Sequence, residues 1–104
     1  MRNKKNNCKT IKTKLRTNLE LLQSEIFGLS LNSWTIEKNA AIIENNLVLA
    51  LNCELFDEDV FIQFRFLVQN LKDLSFRLKN SIVIPDLSWF DIAIKYLLIK
   101  TETK

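Results

Sequence analysis

The feature that most constrains this chain is its near lack of the two residues that most often interrupt regular structure. Its 104 residues contain one Gly and one Pro. A sheet protein of this size needs many tight turns, and such turns depend on Gly, Pro, Asn and Asp. Long helices with few connections suit this composition better. The length fits one domain, so the sequence predicts a single domain of the all-α class.

Apolar periodicity predicts four helices, at about residues 10–27, 34–53, 57–80 and 87–100. The third is the most regular, because its apolar residues alternate in spacing between four and three and so share one face. These residues are Val60, Phe64, Leu67, Leu71, Leu74 and Leu78. Asp57 is the predicted N-cap, and Arg77 and Lys79 complement the dipole at the other end. We predict a compact four-helix bundle-like domain over residues 10–104, with the third helix at its centre.

Two connections have predicted conformations. Gly28 follows the first apolar stripe and is the expected left-handed stop of that helix. Before the last helix, Ile82, Val83 and Ile84 precede Pro85. Three β-branched residues ahead of a proline favour an extended backbone. Because this segment is so apolar, we expect it to lie across the bundle.

The positive charge is concentrated at the N-terminal end. The net charge is +3, but residues 1–16 carry +7 with no acid, while the remaining eight basic and twelve acidic residues give −4. We predict a flexible basic arm at residues 1–9. If the first helix extends back to Lys5, then Lys5, Lys9, Lys12 and Arg16 share one side of it. This side is either a solvated surface or a site for an anionic partner. A nucleic-acid-associated accessory protein that grips phosphates is therefore the alternative function.

Catalytic patterns are missing from the sequence. There is no His, which is the usual base beside a nucleophile. Asp57, Glu58 and Asp59 stand at a helix start, where acids are expected for their interaction with the dipole. Gly28 is solitary, so no phosphate-binding loop is formed. Two cysteines without His offer too few ligands for zinc. We predict a protein that is not an enzyme and that has no metal site and no cofactor.

The cysteines also bear on location. Cys8 and Cys53 are too few for a disulfide framework, which favours a reducing compartment such as the cytoplasm or an organelle stroma. Cys53 is expected to be a small buried apolar residue. No apolar run is long enough to span a bilayer, and a membrane partner is not expected. Frequent Asn, Lys and Ile suggest an AT-rich genome.

A second apolar set marks the third helix as a possible interface. Ile62, Phe66 and Phe76 lie on roughly the opposite side from the main stripe. Monomers seldom expose large apolar patches. Either the last helix and the Ile82–Ile84 segment cover these side chains, or another chain does. The leading hypothesis is a non-catalytic interaction module, meaning a small subunit, adaptor or assembly factor, in a homodimer or a larger complex.

Overall fold

A computed structural model describes residues 4–28, 31–84 and 86–102, with side chains from residue 8 onward. It contains four helices: α1 (Lys4–Ile26), α2 (Ser33–Leu51), α3 (Glu58–Lys79) and α4 (Ser88–Lys100). Within the described ranges no residue forms a β-strand. The predicted all-α class is therefore confirmed.

The first helix differs most from its predicted bounds, because it begins at Lys4 and not near residue 10. Residues 4–9, predicted as part of a flexible arm, are thus the first turns of α1. No acid stands in the first turn to complement the helix dipole. Burial of Cys8 supplies a tertiary anchor there, and tertiary packing usually outweighs local preference in a helix. The remainder of the predicted arm, residues 1–3, lies outside the described residues.

The helices pack in a ring around a shared core. α1 contacts α2 and α4, and α3 contacts the same two helices, with the α2/α3 contact the most extensive. The chain measures 49 × 24 × 23 Å along its principal axes. This is the arrangement of a helical bundle. Each helix therefore has two neighbours and one side that faces outward.

The apolar stripes read from the sequence form the core. All but one residue of the third-helix stripe are buried, and Leu78 packs at its edge. From the other helices the core takes Leu15, Leu19, Leu22, Ile26, Ile36, Ala40, Ile43, Leu47, Ala50, Phe90, Ile94 and Leu97. Complete burial of one such large apolar side chain contributes about 1.5–3 kcal/mol to stability. The predicted stripes are thus the source of the packing that orders the bundle.

Buried polar side chains tie neighbouring helices together. The Asn39 amide on α2 donates to the Glu25 carboxylate on α1 at 2.6 Å. The Ser75 hydroxyl on α3 donates to the Ser33 carbonyl at the start of α2 at 3.1 Å. Among the described residues, no buried side-chain nitrogen or oxygen is left without a partner. These bonds help to set how the helices align along their axes.

The two cysteines, which were expected to be too few for a disulfide framework, are bonded to each other. Cys8 and Cys53 form a disulfide, with their Cα atoms 5.7 Å apart and 45 positions apart in sequence. Cys53 is half-buried, so it is not the expected buried apolar residue. The bond joins the start of α1 to the turn after α2, because the antiparallel α1/α2 hairpin brings both to one end. Disulfides are rare in reducing compartments, so this bond does not fit the predicted location.

Two connections also differ from expectation. Gly28 is not left-handed, since no glycine of the described chain has a positive φ. Its requirement is one of space, because a Cβ there would lie 2.6 Å from the Ser24 carbonyl oxygen. The segment at residues 82–84 does not lie across the bundle, and Val83 is 82% exposed. Arg77 holds this segment by donating to the Val83 carbonyl at 2.9 Å.

Candidate functional site

The outward side of α3 carries the three apolar residues predicted as an interface. Ile62, Phe66 and Phe76 are 44%, 54% and 58% exposed, so neither α4 nor the 82–84 segment covers them. Residues seven apart on a helix recur on the same side after nearly two turns. Ile62, Gln69 and Phe76 therefore form one row along this side. We call the outer face of α3 the surface formed by Ile62, Arg65, Phe66, Gln69, Lys72, Asp73 and Phe76.

The three apolar side chains do not form one compact patch. Phe66 is one turn from Ile62, but Phe76 is ten residues further on, about 15 Å along the axis. Ile62 lies at an open depression with Leu51 and Phe56. Phe76 lies at another depression with Ala41 and Ser75. The surface is consequently a long strip with an apolar group at each end.

Helix α2 adds exposed apolar residues beside this strip. Val48 and Leu51 are both exposed and, with Phe61 and Val68 of α3, line an open cavity of about 280 Å³ between the two helices. Their place beside α3 depends on how the two helices pack, so neither residue is among the predicted interface residues.

Two ion pairs connect α2 and α3 at the surface where these helices meet, which we call the α2/α3 seam. Lys72 approaches Glu44 at 3.1 Å, and Lys79 approaches Glu37 at 3.6 Å. The acids are seven residues apart on α2 and the lysines seven apart on α3, in the opposite direction. This matches the antiparallel alignment of the helices. Exposed pairs of this kind contribute only about 0–1 kcal/mol each, so they indicate the alignment more than they enforce it.

The series of ion pairs stops at its third position. One further step of seven residues leads to Leu51 on α2 and Arg65 on α3, and both line the same cavity. Leucine cannot neutralise the arginine, and Arg65 forms no ion pair with any residue that the structure describes. Glu54 and Glu58 line the depression next to it but do not pair with it. An exposed guanidinium therefore remains unpaired beside exposed apolar side chains.

The four basic residues predicted as an anion site do not form one exposed group. Arg16 donates to the Leu98 carbonyl and, at 3.0 Å, to the Thr101 hydroxyl at the end of α4. Its positive charge thus lies where the α4 dipole is negative. Lys9 is exposed and Lys12 is half-buried. The side chain of Lys5 lies outside the described residues. Arg16 has a role inside the fold that the sequence did not reveal.

Carboxylates and cysteines are the metal ligands that this chain offers, since it contains no His. In the described part of the chain, no group of three or more such residues could hold a metal ion. The Ser88 backbone N–H donates to Asp86 at 3.0 Å, and this bond, with a further one to the Ser88 side chain, lowers the pKa of Asp86. Asp86 lies two residues before α4, whose N-cap position is Leu87. Its shifted pKa therefore has a structural cause.

Comparison with family models, with characterised proteins and with solved structures finds no match for this chain. None of the helices within the described residues combines the length and the hydropathy that crossing a bilayer requires. The function must therefore be argued from the surface itself.

Proposed function

We propose that this protein is a non-catalytic interaction module, a small subunit, adaptor or assembly factor, that binds another protein chain through the α2/α3 side of the bundle. The observation that supports this most is the outer face of α3. It combines three large exposed apolar side chains with Arg65, which is exposed and forms no ion pair with any described residue. Aromatic residues and arginine are the types enriched at protein interfaces.

Magnitudes indicate how much surface such binding needs. Each of the three apolar side chains is about half exposed, so burying the rest contributes about 1 kcal/mol each. A micromolar complex requires about 8 kcal/mol, after the cost of association has been offset. Ile62, Phe66 and Phe76 alone are therefore insufficient. The exposed Val48 and Leu51 of α2 supply further apolar area next to them.

The basic residues of α1 are a weaker basis for a function. Arg16 is engaged by the end of α4 and Lys12 is half-buried, which leaves Lys9 as the exposed residue of this row among those with described side chains. Phosphate binding by a basic surface improves with the number of contacts made. Nucleic-acid binding by this side of α1 stays a prediction.

The test is affinity purification from the native source, followed by mass spectrometry, with the wild type and Phe66→Asp/Phe76→Asp. We expect the wild type to recover a defined set of proteins that the double variant loses. Nuclease treatment should leave that set unchanged. Both replaced side chains are exposed, so circular dichroism should show an unchanged helical content.

A matched control uses the exposed apolar residues of α4. Ile92→Asp/Ile99→Asp introduces the same two charges on another exposed apolar surface and should retain the recovered proteins. If Phe66→Asp/Phe76→Asp unfolds, the rings belong to the core and the proposal fails. It also fails if the folded double variant recovers the same proteins as the wild type.

A further inference from the structure

The residues of the outer face of α3 are arranged about Gln69 in a complementary way. Seven residues before and after it stand Ile62 and Phe76, which are both apolar. Four residues before and after it stand Arg65 and Asp73, which have opposite charges. If a second copy of the helix is placed antiparallel to the first, apolar residues therefore face apolar residues, and the positive residue faces the negative one.

In the same antiparallel arrangement, the remaining two residues of the face also oppose each other. Three residues before and after Gln69 stand Phe66 and Lys72. The four-carbon stem of a lysine can cover an aromatic ring while its ammonium group stays in water. All seven residues of the face are exposed. The face is thus complementary to itself when one copy is reversed.

A contact between two identical chains around a two-fold axis requires this property. In such a contact, if residue i touches residue j, then residue j touches residue i. Building on the proposed function, we propose that the protein bound by this face is a second copy of the same chain. The two α3 helices pack antiparallel, with the two-fold axis at Gln69. Ile62 then meets the partner's Phe76, and Arg65 meets the partner's Asp73.

Charge favours this orientation over the parallel one. In a parallel pair at equal height, Arg65 would lie beside the partner's Arg65. In the antiparallel pair, Arg65 gains the acidic partner that it lacks among the described residues of its own chain. Asp73 already accepts from Arg77 at 2.8 Å through one carboxylate oxygen, which leaves its second oxygen for another donor. Exposed pairs add little affinity, but they determine the orientation and register of association.

The flanking helix contributes area. A stable interface usually buries about 800 Å² on each partner, which is more than one helix row offers. Val48 and Leu51 lie along the edge of the same side. Helices that pack through residues repeating every seven positions have axes about 8–10 Å apart. At that distance the flanking α2 residues also lose contact with water.

Charge exchange tests the proposal with Arg65→Asp and Asp73→Arg. Each variant alone places two like-charged contacts in the dimer and should weaken dimerisation by about tenfold or more. An equimolar mixture of the two variants restores both attractive contacts, so it should form a heterodimer. The double variant in one chain should again form a homodimer. Sedimentation equilibrium at low salt measures all four samples and the wild type.

The matched control is the ion pair of α4 between exposed Lys95 and half-buried Asp91, at 3.0 Å. Lys95→Asp and Asp91→Arg change the charge by the same amounts and should leave dimerisation unchanged. Circular dichroism checks that every variant is folded. The proposal is overturned if the wild type is a monomer throughout, if the single variants dimerise like the wild type, if their mixture does not recover, or if the α4 variants have the same effect.

Failure of this inference can be distinguished from failure of the proposed function. If the wild type is a monomer but recovers proteins from the native source that Phe66→Asp/Phe76→Asp loses, only the second copy is excluded. If the folded double variant neither dimerises less nor recovers fewer proteins than the wild type, both proposals are excluded.

Discussion

The basic side of α1 and the outer face of α3 both stand out from their helical periodicity, yet the fold treats them differently. On α1, the charge of Arg16 is taken up by the end of α4. On α3, Arg65 has no acidic partner in the described chain, and three large apolar side chains beside it are exposed. A periodic pattern therefore identifies a surface, whereas the neighbouring helices determine whether that surface remains available for binding.

The two sides of the bundle are also held by different interactions. The start of α1 is joined covalently to the turn after α2 by the Cys8–Cys53 disulfide. At the surface between α2 and α3, Lys72 and Lys79 form solvent-exposed ion pairs with acids of α2. Removing the contacts of α1 should therefore cost stability, and changing the outer face of α3 should cost association.

Variants on the buried and exposed sides of α3 should differ most in their free energy of unfolding. Phe64→Ala removes a fully buried ring and should lower the free energy of unfolding by about 3–5 kcal/mol. Phe66→Ala, two residues further on, should change it by no more than about 0.5 kcal/mol in dilute solution. Urea denaturation followed by circular dichroism measures both. Equal losses would show that Phe66 belongs to the core and would remove the contrast between the two sides.

An intermediate effect is expected from the disulfide. Cys8→Ser/Cys53→Ser releases a loop closed over 45 positions and should lower the free energy of unfolding by about 2–4 kcal/mol. Reducing the wild type with a dithiol should cause the same loss. Hydrogen exchange should increase mainly in the first turns of α1 and much less in α3. A double variant as stable as the oxidised wild type would contradict this account of the α1 side.

The smallest effect distinguishes Arg16 from its neighbours in the basic row. Arg16→Ala removes half-buried hydrogen bonds to the end of α4 and should cost about 1–2 kcal/mol, because hydrogen bonds of charged groups are strong but partly screened here. Lys9→Ala removes an exposed charge and should change stability by less than about 0.5 kcal/mol. Thermal denaturation compares the two. Equal thermal midpoints for the two variants would show that Arg16 contributes no more to stability than an exposed lysine of the basic row.

The helices and their buried sides could be read from the sequence because both follow from local spacing. The stripe from Val60 to Leu74 is buried as predicted, since residues three or four apart share a side of any α-helix. The same reasoning identified Ile62, Phe66 and Phe76 as lying away from the core. Whether these side chains are covered depends on where α4 and residues 82–84 lie. The periodicity of α3 carries no information about those positions.

The errors share a physical cause. Whether Cys8 meets Cys53 depends on how α1 and α2 align as a hairpin. The requirement at Gly28 arises from the nearby Ser24 carbonyl, although the sequence suggested a left-handed turn. Extending α1 back to Lys4 depends on the anchor at Cys8. Each of these features depends on which groups come close together in the folded chain, and a local sequence pattern does not contain that information.

Residue types and their spacing are enough to predict an all-α chain of four helices, with a core stripe on each and a second apolar set on α3. These properties depend on residue type and on the helical repeat, which act locally. Three further features follow from helix packing: the bond between Cys8 and Cys53, the contact of Arg16 with the end of α4, and the place of Arg65 opposite Leu51 with no acidic partner among the described residues. Those outcomes depend on the alignment of one helix against another, which is set by packing of the whole core.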